Sequence, residues 1–326
     1  MLSVQLDQGK IDVENKPMPR VPKGSARIQL LTGGICATDL ELQRGYYGFS
    51  GAPGHEFVGE VVAVNGSDED KAAWMNRRVV GDINLACGKC DWCKRGLGRH
   101  CPTRTVLGIV RHPGAFQQYF TLPLENLHRV PQTLSTDRAV FTEPTAAACE
   151  ILEQVKIPKG TPVAVLGDGK LGLLITQVLA THGAKVHLYG RHKHKMKLVE
   201  PAGATWELSK DKDKMPVAEW PLVVDSTGSS QGLETAVAMC QPRGTVVMKS
   251  TVARKVTIDT APIIVNEITM VGSRCGLFPP AIRLLNSGMV QTDGMIDSEF
   301  PLADAPAAFE RAATKGVLKV LLRPPV

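Results

Sequence analysis

Cys87, Cys90, Cys93 and Cys101 stand in a C-x2-C-x2-C-x7-C array, and no other feature limits so tightly what this sequence can fold into. The spacing lets four thiolates converge as a tetrahedron on one Zn²⁺, at about 2.3 Å each. Four protein ligands leave no open position, so such a site braces a loop and does no chemistry. The alternative is a disulfide framework, but a chain of 326 residues buries a sizeable core without one. Half of the eight cysteines fall in this one segment, which favours the metal. Four thiolates and one Zn²⁺ sum to two negative charges, and Lys89, Lys94, Arg95, Arg99 and His100 lie beside them. Charge compensation accounts for that basic cluster better than RNA binding does.

Elsewhere Lys and Arg are scattered and the net charge of +6 is modest, so nucleic acid is not an expected partner. No uninterrupted apolar run approaches the roughly 18 residues of a membrane-spanning helix. Residues 1–10 lack the basic, apolar and small-residue succession of a secretory signal. A soluble cytoplasmic protein without a membrane partner is the expectation.

The length fits two domains. A short continuous apolar run at 163–166 reads as a strand buried on both faces. Leu171, Leu174, Val178 and Leu179 then recur at helical spacing, with Gly183 where a left-handed cap would end the helix. A second strand at 185–189 and apolar runs at 222–224, 245–248 and 268–271, separated by helix-like stretches such as 233–239, continue the alternation. That pattern predicts an α/β fold with a doubly wound parallel sheet. Its last strand, 268–271, is the expected sheet edge. The first part of the chain has short β-branched segments, such as 57–64 and 77–80, broken by Gly, Pro and Asn turns, and predicts a mostly antiparallel β domain. After Gly276 an amphipathic helix (Ala281, Leu284, Leu285), a second at 305–313 and a strand at 317–322 form a tail expected to rejoin the first domain. The expected domains are therefore 1–147 with 277–326, and 148–276.

A second set of metal donors lies upstream. Cys36 sits in Gly34-Ile35-Cys36-Ala37-Thr38-Asp39, His55 and Glu56 in Gly54-His55-Glu56, and Glu143 in Thr142-Glu143-Pro144. Cys36, His55 and one carboxylate would give three protein ligands and leave one position open, the arrangement of a catalytic zinc. Each residue alone also reads as a buried thiol, a satisfied turn histidine or a helix-start acid.

Gly167-Asp168-Gly169-Lys170-Leu171-Gly172 fits G-x-G-x-x-G, and it follows a strand and opens a helix, as a dinucleotide pyrophosphate site requires. Asp168 is an odd neighbour for phosphates; its carboxylate is expected to point away, with Lys170 offsetting it. At the end of the second strand, where NAD proteins carry Asp or Glu, the chain reads Tyr189-Gly190-Arg191-His192. The missing acid and the presence of Arg191 favour NADP(H) over NAD(H).

On Cys36-x-Thr38-Asp39, Gly54-His55-Glu56, the cysteine array, Glu143-Pro144 and the glycine turn, in that order, the sequence resembles the zinc-containing medium-chain dehydrogenase/reductase (alcohol dehydrogenase) family. The resemblance covers nearly the whole chain and leans toward the polyol and glucose dehydrogenase-like branch. It implies a Rossmann domain beside a GroES-like catalytic domain, one catalytic and one structural zinc, and a homodimer or homotetramer. It further implies that Cys36, His55 and Glu143 hold the catalytic zinc and that Glu56 stands behind them or exchanges into the metal sphere. Asp39 would orient the histidine, and Thr38 would hydrogen-bond the substrate oxygen and pass its proton outward. Glu41 stands where many relatives have a relay histidine, and reads equally as a relay acid or a surface acid. Thr227, Arg274 and Lys319 would lie along the cofactor, with Gly190, Arg191 and His192. The implied reaction is reversible oxidation of a small alcohol, a polyol or sugar among them, with NADP(H). Two rivals are a zinc-independent NADPH reductase of activated double bonds and a non-enzymatic NADPH-binding protein.

Overall fold

Ser25–Ile35 alternates buried and half-buried residues as far as Thr32 and is then buried outright, as a central strand must be. In the computed structural model, which describes residues 1–209, 215–250 and 256–325, it is the hub of one of two compact units. The first unit comprises residues 1–143 and 295–326, the second 144–294.

In the first unit Ser25–Ile35 pairs antiparallel with Glu56–Asn65, Tyr119–Pro123 and Lys319–Arg323. Arg78–Gly81 and Leu127–Arg129 extend the sheet on one side, and Ile296–Pro301, parallel to Lys319–Arg323, closes it on the other. The expected antiparallel β domain is thus present, and the C-terminal strand does rejoin it, near the middle of the sheet. A separate small sheet of Asn84–Leu85, Thr105–Leu107 and Arg111–His112 brackets the cysteine segment.

The second unit is a six-stranded, all-parallel sheet in the order Thr205–Leu208, Lys185–Gly190, Pro162–Leu166, Trp220–Asp225, Cys240–Met248, Thr269–Gly272. The strand sequence turns back on itself beside Pro162–Leu166, which makes the sheet doubly wound, with Thr269–Gly272 at its edge as expected. Leu166, Tyr189, Val223, Val246 and Met239 share one buried cluster there.

The return to the first unit comes after Gly294, not after Gly276. Phe278–Asn286, read from sequence as part of the returning tail, is tied to the second unit on either side. A Cβ on Gly276 would lie 1.8 Å from the Ala146 carbonyl oxygen, and the Gln177 amide bonds both the N–H and the C=O of Gln291. Among the described residues no helix is long and apolar enough to cross a membrane.

Candidate functional site

Strand register builds the first site. Gly34 of the central strand lies opposite Glu56 on one side and Leu321 on the other, while Ile35 faces Val320. Cys36, His55, Glu56 and Lys319 are therefore brought to one end of three neighbouring strands. Two glycines make the approach possible. Gly54 has φ +102°, and any Cβ there would run to 2.4 Å from the Phe116 ring; a Cβ on Gly34 would sit 2.9 Å from Glu56 Oε2.

Asp39 organises the two soft donors. Fully buried, it accepts the Cys36 N–H through Oδ2 at 2.8 Å, which caps the helix Ala37–Gln43. Its Oδ1 faces His55 Nδ1 at 3.3 Å, at an angle that leaves both atoms short of a hydrogen bond. With Nδ1 turned to Asp39, His55 offers its other ring nitrogen to Cys36. Burial alone would lower the His55 pKa, but the Asp39 carboxylate and the Cys36 thiol outweigh it and hold the imidazole well above its ordinary value.

One donor atom each from Cys36, His55 and Glu56 lies within 4.8 Å of the others. Thiolate, imidazole and carboxylate together suit zinc, and surroundings that keep a proton on a buried histidine also favour a divalent cation. The donor set therefore fits the metal that the sequence anticipates. Glu143, expected as third ligand, is half-buried in the first turn of Thr142–Gln154 and is not in this converging group, whose acid is Glu56.

Lys319, expected along the cofactor, is fully buried with its ammonium on the Glu56 carboxylate, itself 1% exposed. Burial works to lower the Lys319 pKa, yet Glu56, Cys36 and Asp39 together raise it above the usual lysine value. Thr38 is half-buried, with its hydroxyl 3.8 Å from Cys36 Sγ. Glu41, its side chain 22% exposed, pairs with Arg44 at the C-cap of the same helix.

Cys87, Cys90, Cys93 and Cys101 converge as their spacing demands, with Sγ separations of 3.5 Å (Cys90 to Cys93), 3.8 Å (Cys90 to Cys101) and 3.9 Å (Cys87 to Cys93). None of the eight cysteines is in a disulfide. Crowded thiols cannot all ionise alone. Burial and the thiols of Cys90 and Cys101 push Cys93 up to about 12, whereas the Thr103 hydroxyl and the Cys87 backbone draw Cys101 down to about 6. A dication among them removes that conflict. Of the flanking basic residues, Arg95 stacks 5.4 Å from the Trp92 ring centre.

In the second unit Gly169 is the N-cap of Lys170–Thr181 and, being glycine, supplies no side-chain cap to the helix start. A Cβ on Gly169 would meet nothing within 4 Å, whereas one on Gly172 would reach 1.9 Å from the Gly167 carbonyl oxygen. This open turn closing tightly on its own helix fits a pyrophosphate. Asp168 does point away from the helix start: its Oδ2 accepts the N–H groups of Arg191 and His192. Arg191 itself is exposed at the strand end. Thr227 bonds Asp225 Oδ1 through both its N–H and its hydroxyl.

Sequence reasoning missed Lys249. A lysine closing a strand reads as a solvated end, yet this one is 7% exposed and donates to the carbonyls of Ala147 and Arg274 and to the Ser273 hydroxyl. It fixes the Ser273 side chain and the Arg274 backbone.

The chain matches the family model of the alcohol dehydrogenase GroES-like domain over residues 22–132 and that of the zinc-binding dehydrogenase over 171–287. The two matched stretches together span more than half of the sequence. Over 343 aligned positions it is 27% identical to a sorbitol dehydrogenase of Halalkalibacterium halodurans, covering 99% of this chain and 98% of that protein. It is 28% identical to the erythritol/L-threitol dehydrogenase of Mycolicibacterium smegmatis, with 96% and 94% covered. Among solved structures, a zinc-binding dehydrogenase of Sinorhizobium meliloti 1021 bound to NADP superposes with a TM-score of 0.88 at 28% identity over 99% of each chain. Alcohol dehydrogenase TADH from Thermus sp. ATN1 gives 0.86 at 26% identity over 100% of each.

Proposed function

We propose, since the chain belongs to the zinc-containing medium-chain dehydrogenase/reductase family, that it oxidises a secondary or primary alcohol of the polyol class to the carbonyl compound. In balance, R₂CHOH and NAD(P)⁺ give R₂C=O, NAD(P)H and a proton. The observation that carries the reading is the convergence of Cys36, His55 and Glu56 under Asp39. Zinc held there supplies Lewis acidity that makes an alcohol hydroxyl easier to deprotonate. The chain's own residues do the rest. Asp39 fixes the imidazole tautomer and orientation. Thr38 takes a hydrogen bond from the substrate hydroxyl and leads its proton outward. Lys319 holds by charge the Glu56 carboxylate that converges with Cys36 and His55. The sorbitol and erythritol/L-threitol dehydrogenases among the relatives support the polyol class. Arg191, exposed where a 2′-phosphate would come, supports NADP(H), with NAD(H) tolerated.

Two measurements test this. Elemental analysis should find two zinc ions per chain, one for each converging group. A panel of alcohols, polyols and aldoses, run with NADP⁺ and NAD⁺ side by side, should show turnover on polyols. One zinc per chain together with reduction of an enone would replace the proposal with the double-bond reductase. The closed cysteine site makes a separate prediction: Cys93→Ser should lose one zinc and raise amide hydrogen exchange between residues 84 and 112, the segment it staples.

A further inference from the structure

We infer that Asp168 is the acid that grips the adenosine ribose, supplied from the glycine-rich turn in place of the strand-end acid this sequence lacks, so that the chain takes NAD(H) as well as NADP(H). The inference rests on the nicotinamide reading above and names the residue that sets its cofactor choice.

In a dinucleotide-binding fold the ribose-binding Asp or Glu closes the second strand of the sheet. Here that strand, Lys185–Gly190, closes on glycine. The place is not empty: a Cβ built on Gly190 would fall 2.6 Å from Met196 Sδ, 2.7 Å from Asp168 Cβ and 3.0 Å from its Cγ. The Asp168 side chain, with Met196 beside it, thus fills the volume that a strand-end acid would use. It is held there firmly. Oδ2 accepts from Arg191 N at 2.8 Å, from His192 N at 2.6 Å and from His192 Nδ1 at 2.9 Å, while Oδ1 takes part in none of these bonds. Burial pushes the carboxyl pKa up, but the Arg191 N–H and the His192 side chain and N–H outweigh it and leave the group more acidic than an ordinary aspartate.

An anchored carboxylate with one oxygen uncommitted is an acceptor for ribose hydroxyls. It also repels a 2′-phosphate and has already engaged the two backbone N–H groups that such a phosphate could use. Exposed Arg191, next in the chain to Gly190, pulls the other way. Asp168 and Arg191 are opposed determinants, and dual cofactor use follows from their opposition.

The full chain should be titrated with NADH and with NADPH separately, following cofactor fluorescence, for wild type and three variants. Wild type should bind both within about tenfold of each other, since each opposed contact is a charge-assisted bond of similar worth. Asp168→Gly should weaken NADH by about 10- to 100-fold and leave NADPH unchanged or tighter. Asp168→Gly/Gly190→Asp, which returns the acid to the strand end, should recover NADH binding. Arg191→Ala should weaken NADPH alone. The inference is overturned if Asp168→Gly weakens both cofactors equally, which would make Asp168 a pin for the turn, or if the double variant fails to recover NADH. A wild-type preference for NADPH above about 100-fold would overturn it as well, being the full worth of such a bond. A wild type that binds neither cofactor would instead remove the nicotinamide reading itself.

Discussion

Replacing His55 with alanine should cut the zinc content from two ions per chain to one and slow polyol oxidation by about 10³-fold or more. Lewis-acid activation is worth several kcal/mol of barrier, and each 1.36 kcal/mol is tenfold in rate. His55 is 3% exposed and faces Asp39 with one nitrogen, so its loss leaves a hole where a donor stood, with no water layer to fill the role. Asp39→Asn is the graded control. It keeps a side-chain oxygen for the Cys36 N–H but loses the charge that orients the imidazole, and metal affinity or rate should fall by about 10- to 100-fold. Elemental analysis and steady-state kinetics on the same preparations separate the two. If His55→Ala retained two zinc ions and full turnover, the chemistry would have to lie elsewhere.

Lys319→Met should destabilise the first unit by about 3–5 kcal/mol, the usual cost of leaving one member of a buried ion pair without its partner. Glu56, 1% exposed, would keep its charge with no access to water. Adding Glu56→Gln should restore most of the loss, because removing both charges of a buried pair is often close to neutral. Urea unfolding of the three variants measures the difference. The pH dependence is set by the raised pKa of Lys319. A group whose folded pKa lies above its unfolded value, about 10.4 for lysine, contributes fully below that value and loses its contribution as pH rises through the folded one. The advantage of wild type over Lys319→Met should therefore be level across neutral pH and shrink only in alkali. An equal stability of Lys319→Met and wild type would mean that the pair does not hold Glu56.

What was legible in the sequence was what is local. The cysteine array announces itself in one loop, and the glycine turn sits between a strand and a helix whose periodicities are unmistakable. Thr205–Leu208 is not legible because it is a short outer strand, mostly exposed, in which Trp206 and Leu208 alternate with polar residues and no apolar run marks it. The crossover at Gly294 was misplaced because the helix Phe278–Asn286 is amphipathic whichever unit it serves. At the candidate metal centre the donors Cys36 and His55 could be named from their motifs, but the choice of acid could not. Glu56 and Glu143 both adjoin such motifs, and only the pairing of Gly34 with Glu56 brings the former into the group. Lys319 was unreadable for the same reason: its partner is 263 residues away along the chain. Asp168 was half legible, since the sequence shows an acid out of place but not the glycine that makes room for it.

That 263-residue separation has a consequence for how the protein comes into being. Cys36, His55 and Glu56 all lie in the first fifth of the chain and meet through neighbouring strands of one sheet. The strand that carries Lys319 is the last of that sheet to be made and must thread its place between Ser25–Ile35 and Ile296–Pro301. Until it docks, Glu56 has no counter-charge. Maturation of the centre is thus a late, long-range closure, of the kind that slows folding, and the final strand acts as its finishing step.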